Sequence, residues 1–242
     1  MSVTIRDATV MQEGAGARVK RHLPLPAFMN FDPFVMFDHF ELSPGTGFPE
    51  HPHRGFEAIT YLFNGEIEHR DNLGNVSRVG AGGVQRFTAG AGIVHSEMPS
   101  VEETTSGIQL WVNLPKRLKT RQPSYQEAPT DSIPEAAIPG GRERRIAGEG
   151  GEVSLLTEAL YRHVTLEAGA DYELDLPEGW RAIVYLKTGT AEVNGNGLTS
   201  AQAAFVEDES RIHVRPTSAS ELMIAAAHPH GEPIRQRGPY VD

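Results

Sequence analysis

An internal repeat constrains the fold of this 242-residue chain more than any other feature of its sequence. Residues 55–68 read GFEAITYLFNGEIE and residues 179–192 read GWRAIVYLKTGTAE, and seven of the fourteen positions are identical without a gap. The offset of 124 residues is about half the chain length. A block of strand–turn–strand character that recurs at half-length indicates a duplicated unit. We therefore expect two similar β domains in tandem.

The turn-forming residues favour an all-β fold. The 25 Gly and 17 Pro are scattered between runs rich in Val, Ile, Leu and Phe, which is typical of short strands joined by tight turns. Residues 56–63 are predicted to form a strand, and Asn64-Gly65 after it predicts a hairpin. Residues 67–70 and 76–79 are predicted to continue this meander. Helices are scarce, and the best candidate is a short turn over residues 132–137.

A Pro-rich stretch over residues 122–139 marks the predicted domain boundary. Proline cannot donate to a β ladder, so a linker is expected there rather than a strand. We place an N-terminal domain at residues 1–127 and a C-terminal domain at residues 128–242.

Composition excludes several classes of protein. The formal net charge of −10 argues against direct nucleic-acid binding, which needs clustered Lys and Arg. The absence of Cys excludes disulfides, thiolate metal sites and a Cys nucleophile. The N-terminal residues do not have the pattern of a signal peptide, and no apolar run approaches the ~18 residues of a membrane span. A cytoplasmic protein without a membrane partner is expected.

Two short motifs predict a metal site in the N-terminal half. His51 and His53 lie two residues apart, and His95 and Glu97 repeat that spacing. Alternate side chains of an extended strand share a face, so each pair can converge on one point. Three imidazole nitrogens and one carboxylate oxygen suit a divalent first-row metal and leave two open positions in an octahedral shell.

The same parity extends the predicted site into the following strand. Glu57 is either a fifth ligand or an acceptor that orients a ligand ring. Further along the strand, Ile59, Tyr61 and Phe63 are predicted to line an apolar pocket. The second HPH tripeptide, at His228 and His230, has no companion pair and is predicted to be a C-terminal loop.

The repeat also predicts that the second half has lost the site. A shift of 124 residues places Asp175 under His51, Pro177 under His53 and Arg181 under Glu57. His213 falls near the position of His95 but is alone. Proline offers no ligand atom and arginine repels a cation, so one metal ion per chain is expected.

The motifs resemble those of the pirin family over almost the whole chain. GFPEHPHRGFEAITYLFNGEIEHRDNLGN resembles the first block of the family, and FTAGAGIVHSEMP resembles the second. FDPFVMFDHFE and GEPIRQRGPYV are also similar to pirin segments, although His39 stands where an acidic residue is common. The resemblance implies two cupin (jelly-roll β-barrel) domains, and Fe2+ bound in the first of them by His51, His53, His95 and Glu97, without Glu57.

The resemblance implies an activity and leaves alternatives. Some pirins are quercetin 2,3-dioxygenases, so oxidative cleavage of a flavonol with Fe2+ and dioxygen is the leading expectation, with Glu97 as acceptor of the substrate's 3-hydroxyl proton. One alternative is an iron-dependent regulator that binds a protein partner without turnover. Another is a cupin isomerase that does not use oxygen.

Overall fold

Strands joined by turns make up the computed structural model, which describes residues 2–242, and this confirms the all-β prediction. Apart from two short 3-10 helices, Lys116–Leu118 and Thr130–Ser132, these residues contain no helix. Accordingly, no helix in the described part of the chain has the length and apolar character needed to cross a membrane.

Residues 2–242 form twenty-four strands. The first twelve are β1 Val3–Asp7, β2 Thr9–Glu13, β3 Ala17–Leu23, β4 Phe34–Leu42, β5 Phe48–His53, β6 Phe56–Asn64, β7 Glu66–Asp71, β8 Val76–Gly80, β9 Val84–Thr88, β10 Ile93–Pro99, β11 Thr105–Asn113 and β12 Ser124–Ala128. The second twelve are β13 Glu135–Ile138, β14 Gly141–Ala147, β15 Ala159–Leu166, β16 Tyr172–Asp175, β17 Arg181–Thr188, β18 Thr190–Val193, β19 Asn196–Thr199, β20 Gln202–Val206, β21 Arg211–Pro216, β22 Ser220–Ala227, β23 Gln236–Arg237 and β24 Tyr240–Val241.

The chain forms two compact units that exchange their terminal segments. The N-terminal unit comprises Thr9–Ser132 and His230–Asp242, and the C-terminal unit comprises Ile133–Pro229 with the described residues through Ala8. Strand β1 therefore pairs with β20 in the C-terminal unit. The predicted contiguous division at residues 127 and 128 does not include this exchange, because pairing between strands about 200 residues apart has no local sequence signal.

The predicted linker contains two strands. Strand β12 pairs with β9 of the N-terminal unit, and β13 pairs with β14 of the C-terminal unit. Pro123 and Pro129 lie just outside β12, so neither removes a donor from its ladder. The short helical turn predicted over residues 132–137 is wrong beyond its first residue, because the 3-10 helix ends at Ser132 and β13 begins at Glu135.

Both units repeat one arrangement of sheets, which explains the sequence repeat. Each has a seven-stranded and a four-stranded antiparallel sheet. In the N-terminal unit the orders are β12-β9-β6-β11-β4-β3-β2 and β5-β10-β7-β8; in the C-terminal unit they are β1-β20-β17-β22-β15-β14-β13 and β16-β21-β18-β19. Strands β6 and β7, which carry the first copy of the repeat, occupy the same places as β17 and β18, which carry the second.

The predicted hairpin at Asn64-Gly65 is wrong, although the strands on both sides of it are confirmed. Strand β6 belongs to the seven-stranded sheet and β7 to the four-stranded sheet, so the turn is a corner between sheets. The Asn64 side chain donates to the Thr104 carbonyl there. A Cβ on Gly65, whose φ is +75°, would lie 2.2 Å from Thr105 Oγ1. The hairpin lies one turn later, at residues 72–75, between β7 and β8, where the predicted strands 67–70 and 76–79 pair.

Candidate metal centre

The three predicted histidine ligands meet between two neighbouring strands of the four-stranded sheet. His51 and His53 lie on β5, His95 lies on β10, and the strand register places His95 opposite His51. One nitrogen from each ring lies within 4.8 Å of the other two. The Nε2 atoms of His51 and His95 are 3.1 Å apart.

The donor chemistry of this three-histidine group fits a metal ion. His51 Nδ1 lies 2.7 Å from the Pro49 carbonyl oxygen. A carbonyl only accepts, so Nδ1 carries the proton and the lone pair of His51 is on Nε2, which faces His95. Metal–nitrogen bonds of about 2.0–2.1 Å, set at a right angle, place two nitrogens about 3 Å apart, close to the observed separation.

Burial keeps two of the rings neutral. Burial, with a smaller contribution from His51, lowers the pKa of His53 to about 3, against an opposing effect of the Pro239 carbonyl. Burial, followed by the neighbouring rings of His53, His51 and His69, also holds the pKa of His95 well below its usual value. A neutral imidazole is the form that ligates a metal.

Glu97 lies beside the three-histidine group without being part of it. Its carboxylate is not among the atoms that converge within 4.8 Å. It accepts hydrogen bonds from Thr60 Oγ1 at 3.0 Å and from the Gln85 amide on Oε1, and from Gln109 Nε2 at 3.0 Å on Oε2. These three donors stabilise the negative charge of the carboxylate and fix its position. The assignment of Glu97 as a fourth ligand stays a prediction.

The structure places the other candidate residues away from this centre. Glu57 is buried, accepts a hydrogen bond of 2.9 Å from Thr88 Oγ1, and is not in the three-histidine group. His39 is buried and packs edge-to-face on Phe63, with ring centroids 5.5 Å apart. The HPH tripeptide at 228–230 lies in a loop, as its sequence context predicts, with His230 Nε2 2.8 Å from the Asn113 carbonyl oxygen.

A pocket of about 520 Å3 opens onto His51, His53 and Glu97. Much of its wall is apolar or aromatic, contributed by Val19, Met29, Met36, Phe40, Phe48 and Trp111. Trp111 packs edge-to-face on His53, with ring centroids 4.9 Å apart. This volume lies within the ~300–1,000 Å3 typical of small-molecule sites.

The predicted lining by Ile59, Tyr61 and Phe63 is wrong, because none of the three is part of the pocket wall. The parity argument fails at Gly55, where φ is +88° and the chain leaves the four-stranded sheet for the seven-stranded one. The opposite face of β6 meets the site instead, since Thr60 contacts Glu97.

The pocket wall is also acidic. Among the described residues that line it, the acidic ones are Glu13, Asp38, Glu50 and Glu97, and the one cation is Arg21. Arg21 donates to both oxygens of Asp38, with Nη2 2.6 Å from Oδ2, and its Nη1 lies 2.7 Å from Glu13. Burial raises the pKa of Asp38 to about 6 in spite of Arg21. The guanidinium is thus engaged by the protein's own carboxylates.

The C-terminal unit has aliphatic side chains at the positions of these polar groups. The repeat aligns His69 with Val193, and Glu97 lies opposite His69 as Val214 lies opposite Val193. His95, two residues before Glu97, therefore corresponds to Ile212. By the same registers, Thr60, Gln85, Gln109 and Glu97 correspond to Val184, Ala204, Ile224 and Val214. All six aliphatic residues belong to one buried core.

The expected alignment of His51 with Asp175 and of His95 with His213 is therefore displaced by one residue. Asp175 is exposed and pairs with Arg211 at 2.6 Å, and His213 contacts Asp171. Among residues 2–242, the three-histidine group is the only cluster of three or more His, Asp or Glu side chains with this convergence.

Sequence reasoning did not identify five polar residues around the centre. Thr60, Gln85 and Gln109 hold Glu97 from three strands of the seven-stranded sheet. His69 and Asp71, on β7, lie behind His95. Of these five residues, only His69 and Asp71 could have been found from a sequence pattern, because His69-x-Asp71 repeats the alternate spacing of the ligand motifs.

Comparison with known proteins places these features in one family. Residues 16–112 match the family described as Pirin, and residues 161–242 match the Pirin C-terminal cupin domain. Human pirin is 37% identical over 243 residues, which cover 95% of this chain and 83% of that protein. A Pseudomonas aeruginosa protein provisionally named quercetin 2,3-dioxygenase PA3240 is 36% identical over 247 residues, covering 95% and 87%.

A comparison with solved structures agrees with these sequence matches. A crystal structure of quercetin 2,3-dioxygenase from Acinetobacter baumannii superposes with a TM-score of 0.91 at 29% identity, covering 98% of this chain and 90% of that one. Together with the two family matches, this confirms the prediction of two cupin domains in tandem.

Proposed function

This chain belongs to the pirin family, and we propose that it is an Fe2+-dependent dioxygenase that cleaves a flavonol such as quercetin. The observation that carries this proposal is that His51 and His53 of the three-histidine group lie on the wall of a small-molecule pocket that also contains the Glu97 carboxylate. The name of the Pseudomonas relative and that of the Acinetobacter structure support the same reaction class.

His51, His53 and His95 would hold the metal, with Glu97 as fourth ligand. Nitrogen and oxygen donors without a thiolate also admit manganese, nickel, copper or zinc, and iron is preferred here for oxygen chemistry. When bound, Fe2+ would supply a Lewis acid and a template for the substrate's oxygen atoms.

Glu97 is proposed to accept the proton of the flavonol 3-hydroxyl, because the flavonolate is the species that reacts. The hydrogen bonds from Thr60, Gln85 and Gln109 fix the carboxylate in the pocket wall. Gln109 and Glu97 both line the pocket, so a proton gained at Glu97 would remain next to the substrate. A positioned base of this kind typically accelerates a reaction by ~10²–10⁴-fold.

The charge of the pocket favours a neutral, polyhydroxylated aromatic substrate over a carboxylate. An anion would meet four carboxyl groups and a single guanidinium that Asp38 and Glu13 already engage. A phenolic hydroxyl can instead donate to Asp38 or Glu13, because a carboxylate accepts more than one hydrogen bond. The aromatic faces of Phe48 and Trp111 suit a planar ring.

The test is turnover of quercetin by iron-loaded protein under air and under strict anaerobiosis. The proposal predicts flavonol loss with matching oxygen consumption under air and neither without oxygen. Turnover that is independent of oxygen would indicate an isomerase. Protein with one iron per chain and no turnover on any flavonol would refute the proposal and favour a regulator that acts on a protein partner.

A further inference from the structure

We propose that Asp71 and His69 form a positioning pair that selects the tautomer of His95 whose Nε2 faces the metal. Neither residue would touch the metal or the substrate; both would act through His95. The inference goes beyond the proposed reaction, because it concerns metal binding and holds for whichever divalent ion is bound.

The Asp71 carboxylate is fixed by the hairpin that follows β7. Its Oδ1 accepts hydrogen bonds from the backbone N–H groups of Leu73 at 2.9 Å and Asn75 at 3.0 Å, and its Oδ2 accepts from Asn75 Nδ2 at 2.8 Å. The same Oδ2 lies 3.1 Å from His69 Nε2, and both side chains are fully buried. Asp71 is therefore an immobile acceptor behind His69.

This contact determines which nitrogen of His69 carries the proton. A carboxylate only accepts, so in the neutral ring Nε2 holds the hydrogen and Nδ1 holds the lone pair. His69 Nδ1 lies 3.5 Å from His95 Nδ1, which is long for a hydrogen bond but close enough to favour one direction. With a lone pair on His69 Nδ1, this contact is attractive only when His95 Nδ1 carries the hydrogen, and the lone pair of His95 is then on Nε2.

The two ligand rings thereby present lone pairs to each other. His95 Nε2 faces His51 Nε2 at 3.1 Å, and the Pro49 carbonyl fixes the His51 lone pair on Nε2 from the other side. Two lone pairs at this distance repel each other unless a cation attracts both. The outer partners thus hold the rings in the form that binds a metal, which is the usual role of groups behind a metal ligand.

Packing restrains the plane of His69. Its ring stacks on Tyr125, with centroids 4.2 Å apart and planes at 19°. The Tyr125 hydroxyl donates to Gln85 Oε1 at 3.2 Å, and the Gln85 amide donates to Glu97.

In the C-terminal unit Val193 takes the place of His69 and Ile212 that of His95, so the pair and its ligand are absent there together.

The experiment measures Co2+ affinity by competition with a chelator, alongside the tautomer of His95 in metal-free protein by 15N NMR. Asp71→Asn places an amide N–H group, which can only donate, opposite the Nε2–H group of His69. His69→Phe keeps the stacked ring but removes both ring nitrogens. Each should weaken Co2+ binding by about 10–100-fold, the usual effect of such partners. Each should also populate the Nε2–H tautomer of His95, which is Nδ1–H in the wild type.

Two further variants separate hydrogen bonding from packing. His69→Gln can accept from His95 and donate to Asp71, so its affinity should be clearly higher than that of His69→Phe. Asn72→Ala removes a side-chain hydrogen bond of the same hairpin, the one accepted from the Val94 backbone N–H, but none that holds Asp71, and it should bind Co2+ like the wild type.

The pair is refuted by an Nε2–H tautomer of His95 in the wild-type protein, or by wild-type affinity in both Asp71→Asn and His69→Phe. Equal loss in the Gln and Phe variants would show that packing alone matters and would also overturn the inference. Because Co2+ binding requires no turnover, these results are independent of whether the protein cleaves a flavonol.

Discussion

The replacement Glu97→Gln separates the proposed base from the proposed ligand. The carboxylate now accepts from three donors, Thr60, Gln85 and Gln109. A glutamine there has one accepting oxygen, and its amide group would face one of those donors. Gln109 can relieve the conflict by rotating its amide, because its own Oε1 is buried without a hydrogen-bond partner.

The structural cost of Glu97→Gln is therefore small compared with the expected loss of rate. Exchanging charge-assisted hydrogen bonds for neutral ones lowers the free energy of unfolding by about 1–2 kcal/mol. If the free energy of metal binding falls by a similar amount, iron binds about tenfold more weakly. Loss of a general base instead lowers turnover per bound iron by ~10²–10⁴-fold. The deficit should shrink as pH rises, because the flavonol then ionises without help.

The assay is quercetin turnover with iron content measured on the same sample, over a series of pH values. Glu57→Gln is the matched control, since Glu57 is a buried carboxylate of the same unit that lies outside the three-histidine group. It should keep the wild-type turnover per iron. Near-normal turnover per iron in Glu97→Gln would reduce Glu97 to a ligand, and a deficit that is the same at all pH values would remove the proton-transfer role.

Two predictions concern stability. Since burial raises the pKa of Asp38 from 3.8 to about 6, the folded protein keeps a proton that the unfolded chain releases. The free energy of unfolding should thus fall by up to about 3 kcal/mol as pH rises from below 3.8 to above 6. Urea titrations should show this step weakened in Asp38→Asn, and an unchanged profile would contradict it. Lys119 Nζ donates to the carbonyls of Gly55 and Val241 and to Asn113 Oδ1 at 2.7–3.0 Å. Lys119→Met should cost about 2–4 kcal/mol and speed hydrogen exchange in β24, whereas unaltered exchange there would show that Lys119 does not hold the C-terminal segment.

Local patterns predicted the strands and the ligand motifs because alternate side chains of one strand share a face. His51 and His53 converge with His95 for that reason. The same rule failed for Ile59 and Tyr61, because Gly55 carries the chain into another sheet and the parity is lost. It failed again at Asn64-Gly65, where a dipeptide suited to a hairpin makes a corner instead.

Features that depend on pairing between distant strands could not be predicted from local patterns. Thr60, Gln85 and Gln109 surround Glu97 only because β6, β9 and β11 are neighbours in one sheet. The exchange of terminal segments is similar, since it rests on the pairing of β1 with β20. The repeat aligned Asp175 with His51 and His213 with His95, each displaced by one position, because β16 and β21 lie outside the ungapped block.

The most direct test of the account is the metal stoichiometry of the intact chain, measured by native mass spectrometry after reconstitution with Fe2+ under anaerobic conditions. We predict one ion per chain in the wild type and in His228→Ala and His230→Ala, and none bound tightly in His51→Ala or His95→Ala. Two tightly bound ions in the wild type, or an ion lost with His228 and retained without His95, would contradict a single metal centre in the N-terminal unit.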